Sequence, residues 1–110
     1  FRSPYVTAKW GIIGLMKTLA IELGTANVRV NAICPGSIEG DRMERVLSME
    51  SEATGRKLED IRAKYMAGVS LRRFVTARDV SDMAVFLASD ASRNVTGQAI
   101  SVDGNTERMV

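Results

Sequence analysis

The sequence has no histidine among its 110 residues. That absence removes the Ser-His-Asp and Cys-His mechanisms and the commonest metal ligand. A single cysteine, Cys34, leaves no internal disulfide and fits a reducing, cytoplasmic compartment. Cys34 lies in an apolar run ending at Pro35, so it reads as a buried, inert thiol; with no histidine to activate it, a nucleophilic role is the weaker reading. No cluster has zinc or calcium spacing, and no metal is expected. Long hydrophobic runs are missing as well. Lys17, Glu22 and Arg29 interrupt the apolar stretches, so neither a transmembrane span nor a signal peptide is expected, and no membrane partner. Charge of one sign is scarce: the net charge of +2 is too small, and the signs too interspersed, for a nucleic-acid partner. No internal repeat or low-complexity segment is present.

What remains is ordinary globular composition, 45% hydrophobic and 25% charged, in a chain long enough for one small core. The opening Phe1-Arg2-Ser3-Pro4, without an initiator methionine, reads as the interior of a longer protein. Ser3-Pro4 signals a helix start, a capping hydroxyl and then a proline tolerated in the first turn. The helix is expected to run to about Leu23 and to stop at Gly24. Its apolar residues, among them Val6, Trp10, Ile12, Leu15, Leu19 and Leu23, nearly encircle the axis, which predicts burial on two sides. Val28–Cys34 reads as a strand, stopped by Pro35-Gly36. Asp41–Glu52 and Leu58–Ala67 read as helices separated at Thr54-Gly55, with charges alternating through Asp41–Lys64 as on a solvated face. Arg78–Ala88 is a further helix, capped by Thr76 with Asp79 at its third position. After a turn at Asn94–Gly97, Gln98–Val102 is a second strand. Strand, helices, strand implies a parallel pair with a right-handed crossover, and the class is α/β.

Tyr5 and Lys9 are four apart in the first helix, on one face and a turn from each other. Moving a proton at a carbonyl oxygen calls for a group that titrates within reach of neutrality. Free tyrosine titrates near ~10, and a neighbouring ammonium favours phenolate. A Tyr with a Lys on the same face is therefore suited to acid/base work, although the pair alone is common on helices with no catalytic role. The turn Pro35-Gly36-Ser37-Ile38 leaves the first strand at its carboxyl end, where ligands of open parallel sheets bind.

Tyr5-x-x-x-Lys9, then Val28-Arg29-Val30-Asn31-Ala32-Ile33-Cys34-Pro35-Gly36, then Thr96-Gly97 to Val102-Asp103-Gly104, follow one another in an order and spacing that resemble the short-chain dehydrogenase/reductase family over nearly the whole chain. The resemblance implies the C-terminal part of a Rossmann-like, doubly wound parallel sheet, with residues 1–110 as that portion of a single domain. It implies an NAD- or NADP-dependent oxidoreductase that interconverts a secondary alcohol and a ketone. Tyr5 would be the catalytic acid/base, and Lys9 would bind the nicotinamide-ribose hydroxyls and ease loss of the tyrosine proton. The backbone of Pro35, Gly36, Ser37 and Ile38 would contact the nicotinamide, with Ile38 at the carboxamide. Asn31 would be structural, and Asp103-Gly104 would close the last strand. The small-molecule carbonyl or alcohol substrate stays open between 3-oxoacyl and sugar-type compounds. A homodimer or homotetramer is implied, with the first helix packed on its symmetry mate.

Two residues depart from the family pattern: Gly40 stands where threonine is usual, and Asn105 where a second glycine is common. The glycine-rich phosphate loop, the residue that selects NAD or NADP, and the catalytic Ser and Asn precede the tyrosine in the family, and Ser3 lies too close to Tyr5 to be that serine. The 110 residues alone are thus expected to be an inactive fragment of an enzyme. The rival reading is a binding or structural protein that keeps the fold without the reaction. Trp10 and Phe86 read as packing residues rather than substrate contacts. Met43, Met49 and Met66 fall in the helical insertion that covers substrate in the family, so a lid role is open for them. Arg72-Arg73 reads as a solvated or interface pair before an anion site.

Overall fold

The computed structural model describes residues 2–106. Two strands, β1 (Ala32–Pro35) and β2 (Ala99–Val102), form a two-stranded sheet. The Ala32 amide donates to Gln98 O at 2.9 Å and the Gly36 amide to Val102 O at 3.0 Å, so both strands advance in the same direction and the pair is parallel. A parallel pair needs a crossover, here supplied by helices α2 (Asp41–Thr54), α3 (Leu58–Ala67) and α4 (Ala77–Ala88). Helix α1 (Ser3–Leu23) precedes the sheet. The architecture is α/β, as expected. By contacts the chain divides into two compact units, one made of the segment up to Cys34 with Met83–Ile100, the other of Pro35–Asp82 with the segment from Ser101 on.

In the first unit, α1 spans the predicted range and ends at Leu23 with Gly24 as its C-cap, but its first turn is capped differently. Arg2, not Ser3, is the N-cap, and no side chain caps the first turn, because Ser3 and Pro4 are already helical. Gly24 keeps a right-handed conformation and starts a 3-10 turn, Gly24–Ala26, and Asn27 takes the left-handed position at φ 58°. Asparagine tolerates that region because its short polar side chain bonds locally. Burial on one side alone is achieved. Met16 and Ala20 are buried and Ile13 is half-buried, a stripe at helical spacing, while Trp10, Ile12, Leu15 and Ile21 stay exposed. Ala20 meets Gly97, where an added Cβ would lie 3.5 Å from its methyl, and Lys17 Nζ donates to Gly97 O at 3.1 Å.

The first strand is shorter than Val28–Cys34. Val28–Val30 alternates as a strand should, yet β2 begins at Ala99 and gives that stretch no ladder partner. Single backbone bonds, from the Gly97 amide to Val30 O at 2.7 Å and from the Val28 amide to Leu23 O at 3.2 Å, and several side chains tie it down instead. Arg29 donates to Leu87 O, to Val95 O at 3.3 Å and to Ser89 O, closing the carbonyls at the end of α4 and in the following loop. Asn31 donates to Val95 O at 2.9 Å and accepts from the Gln98 amide at 3.1 Å, which makes it structural, as the resemblance implied. Ser92 is fully buried and its hydroxyl reaches Phe86 O, Leu87 O and Ser89 O, so it too serves the helix end. Cys34 is half-buried rather than buried.

The second unit has its own core. Leu47, Ile61 and Phe74 are buried together, with Met43, Leu58, Tyr65 and Met66 packed on them. The charged stretch Asp41–Lys64 is therefore a solvated face on one side and a core on the other. Arg62 sits at the edge of this core, paired with Glu44, with its guanidinium 5.5 Å from the Phe74 ring centroid. Gly55 ends α2 in the left-handed conformation, φ 68°, which glycine adopts with no Cβ penalty. Thr76 caps α4 as predicted: the Asp79 amide donates to Thr76 Oγ1 at 3.1 Å, and the Thr76 amide donates to Asp79 Oδ2 at 2.8 Å.

Candidate functional site

Tyr5 and Lys9 lie in the first turns of α1, with Lys9 Nζ 5.6 Å from the Tyr5 ring centroid. The helix brings the ammonium over the ring, as the four-residue spacing demands. Both side chains are exposed, Tyr5 at 61%, so a ligand can reach the hydroxyl. Trp10 follows Lys9 and is 71% exposed, against the expectation that it packs; no element among the described residues covers that face of α1. Phe86 on α4 is likewise exposed at its surface rather than packed.

Pro35, Gly36, Ser37 and Ile38 belong to the second unit. Gly36 is pressed against the end of β2, where an added Cβ would stand 2.9 Å from both Cα and Cβ of Asp103. Glycine is required there by backbone packing, whatever the turn binds. Ile38 forms a parallel bridge with Val75: the Val75 amide donates to Ser37 O at 2.9 Å and the Glu39 amide to Val75 O at 2.7 Å. In such a bridge the N–H and C=O of the central residue point away from the partner strand. Those of Ile38 make no hydrogen bond among the described residues, and its side chain is 40% exposed. One free donor and one free acceptor, side by side, match the two edges of a primary carboxamide. The turn thus fits a nicotinamide, and Lys9 presents a donor that fits ribose hydroxyls.

The backbone bears on both departures from the family pattern: it requires Gly40 and accommodates Asn105. Gly40 has φ 141° and ψ −176° as the N-cap of α2, a conformation closed to threonine. Asn105 takes φ 58°, the left-handed region that asparagine tolerates, and its amide donates to Asp103 Oδ1 at 2.9 Å. The Asp103-Gly104 turn closes β2, with Gly104 at φ 65° and against Val69.

A cavity of about 300 Å³ opens in the second unit beside Ser37, lined also by Glu50, Lys64, Tyr65, Val69 and Thr106. Tyr65 donates its hydroxyl to Glu50 Oε2 at 3.0 Å, and Lys64 Nζ lies 3.8 Å from Glu50 Oε1. Sequence reading missed this group, because Glu50, Lys64 and Tyr65 look there like members of a charged face. Met43 and Met66 pack on the core beneath it, while Met49 is 69% exposed. Arg72, with φ 52°, donates to Ala67 O, so it is engaged with its own chain and the Arg72-Arg73 pair is solvated, as expected. Among the described residues no group of acidic or cysteine side chains could hold a metal ion. No helix there is long and apolar enough to cross a membrane.

A parallel strand pair with a crossover of helices, and a ligand-accessible turn at the carboxyl end of its first strand, define a Rossmann-like α/β protein. A family model described as enoyl-(acyl carrier protein) reductase matches residues 1–105. The chain belongs to the short-chain dehydrogenase/reductase family. It is 36% identical to a D-beta-hydroxybutyrate dehydrogenase of Rhizobium meliloti (strain 1021), over 94% of this chain and 41% of that protein. The fold resembles the crystal structure of sorbitol-6-phosphate 2-dehydrogenase from Erwinia amylovora, with TM-score 0.86, 30% identity, and coverage of 97% of this chain and 42% of the other. It also resembles an actinorhodin polyketide ketoreductase variant solved with NADPH, with TM-score 0.84, 31% identity, and coverage of 94% and 40%. The chain spans about two fifths of the length of the curated relatives it matches.

Proposed function

We propose that these residues take the place of the C-terminal portion of one Rossmann-like domain in an NAD(P)-dependent oxidoreductase that interconverts a secondary alcohol and a ketone. The observation that carries the reading is the accessible Tyr5 hydroxyl with the Lys9 ammonium over its ring. Bound NAD or NADP would supply the hydride acceptor or donor. Tyr5 takes the proton from the substrate hydroxyl as the alcohol is oxidised, and returns one to the oxygen as the ketone is reduced. Lys9 steadies negative charge on the phenolic oxygen and holds the ribose hydroxyls. The free N–H and C=O of Ile38 orient the carboxamide, with Pro35, Gly36 and Ser37 forming the rest of the turn. The relatives act on a hydroxy acid and on a polyol phosphate, by their names, and one is solved with NADPH. They support a small-molecule carbonyl or alcohol substrate. The single cysteine and the mixed surface charge support a cytoplasmic protein, and the exposed apolar side chains of α1 support its assembly as a homodimer or homotetramer.

Tyr5→Phe in the intact protein tests the assignment. It removes one oxygen and leaves the ring, so turnover should fall by orders of magnitude while NAD(P)H affinity, read by fluorescence titration, stays nearly unchanged. Near-normal turnover would rule out Tyr5 as the proton carrier.

A further inference from the structure

The cavity beside Ser37 is built for hydrogen bonding. Glu50 is fixed from two sides, by the Tyr65 hydroxyl at 3.0 Å and by Lys64 at 3.8 Å, and each of its oxygens retains a lone pair. The Ser37 hydroxyl makes no hydrogen bond among the described residues. Thr106 donates its own proton to Asp103 O at 2.7 Å and so offers an acceptor to the cavity. Val69, buried, supplies an apolar wall. The Glu50 and Lys64 charges cancel, which leaves no net charge to attract a carboxylate or a phosphate. An acyl chain here would strip water from the Ser37 hydroxyl and from the remaining lone pairs of Glu50 and return no hydrogen bond, which costs it affinity relative to a ligand that bears hydroxyls.

We propose that this cavity receives the hydroxyl-bearing end of the substrate, and that the substrate is an uncharged polyhydroxylated molecule of the polyol or sugar class. Its hydroxyls donate to Glu50 and Thr106 and exchange a bond with Ser37, and its carbon skeleton lies on Val69. The inference rests on the reading that places the nicotinamide at the Pro35–Ile38 turn, since Ser37 is the residue next to Ile38 and carries the cavity's edge.

The test is direct binding to the intact protein, with turnover measured separately. Sorbitol and the N-acetylcysteamine thioester of 3-hydroxybutyrate are titrated while the backbone amide signals of Ser37, Val69 and Thr106 are followed by NMR. Sorbitol should move those signals and bind more tightly than the thioester. Glu50→Gln, which keeps an acceptor for Tyr65, should weaken sorbitol at least tenfold and leave the thioester unchanged. Ser37→Ala should weaken sorbitol several-fold, and its thermal melt checks the fold independently of Glu50. Tighter binding of the thioester, or sorbitol binding indifferent to both substitutions, overturns the proposal. Sorbitol binding that depends on Glu50 without nicotinamide-linked turnover supports the cavity and sinks the oxidoreductase reading. Turnover of the thioester without sorbitol binding does the reverse.

Discussion

Leu47 is fully buried between Ile61 and Phe74, in a unit whose core has few other members. Leu47→Ala removes its methyl groups from the centre of that cluster and leaves a void that three neighbours cannot all fill. The expected cost is roughly 2–5 kcal/mol, read from denaturant unfolding of the intact protein. A loss below about 0.5 kcal/mol, the range of surface substitutions, would show that the cluster is loosely packed. Gly36→Ala should also destabilise, because the new methyl meets the Asp103 backbone rather than a flexible side chain. Individual residues differ in how legible they were. Tyr5, Lys9, Asn31 and Thr76 stand out because their chemistry acts at fixed short spacings or at the end of an element. Leu47 and Ile61 do not, since Ile61 sits singly between charged neighbours and Leu47 is not set apart from the nearby Val46 and Met49, both of which stay more exposed. Their burial depends on α2 and α3 packing together, which no local pattern encodes. The Glu50–Tyr65 bond is hidden for the same reason.

At the level of elements, helix ends were read more securely than strand ends. The α4 start follows from Thr76 and Asp79 alone, each satisfying the other's backbone amide. Strand β1 is shorter than its alternation suggests, because a strand extends only as far as its partner, and β2 is four residues long. The capping box has a pH signature. Asp79 has its carboxyl held below the ordinary 3.8 by hydrogen bonds from the Thr76 amide and hydroxyl. A carboxylate depressed in the folded state contributes stability above its unfolded value and loses it as the pH falls through its folded value. Acidification from about 4 downward should therefore weaken this helix start, and Asp79→Asn should flatten that part of the stability profile, measured by thermal melts across acidic pH. Thr76→Ala should cost about 1 kcal/mol at neutral pH, the usual value of a lost N-cap hydroxyl. An Asp79→Asn protein with an unchanged acid limb would mean that the cap is open in solution.

For the molecule as a whole, the informative surface is α1. Its composition predicts cover on two sides, and within its unit it has cover on one. Trp10, Ile12, Leu15 and Ile21 lie exposed along it, Ile21 at 81%. Each such side chain left in water forgoes roughly 1.5–3 kcal/mol relative to burial, so a protein that keeps them has a further surface to set against them. A single sequence shows that such a surface is needed, because apolar residues all round the axis are visible in one dimension. It does not show where the surface comes from, since that is set by segments or chains beyond the helix. The proposal of a symmetric homo-oligomer supplies it from a second copy, as isologous packing places the same helix on both sides of a two-fold axis. Light scattering of the intact protein should then give a dimer or tetramer. Ile12→Asp with Leu15→Asp should shift it to monomer, because two carboxylates per helix would be buried unpaired at the contact. Ile12 and Leu15 are 55% and 58% exposed, so the double variant should still fold, as judged by circular dichroism. A stable monomer at high concentration, before any substitution, would show that α1 is covered within one chain.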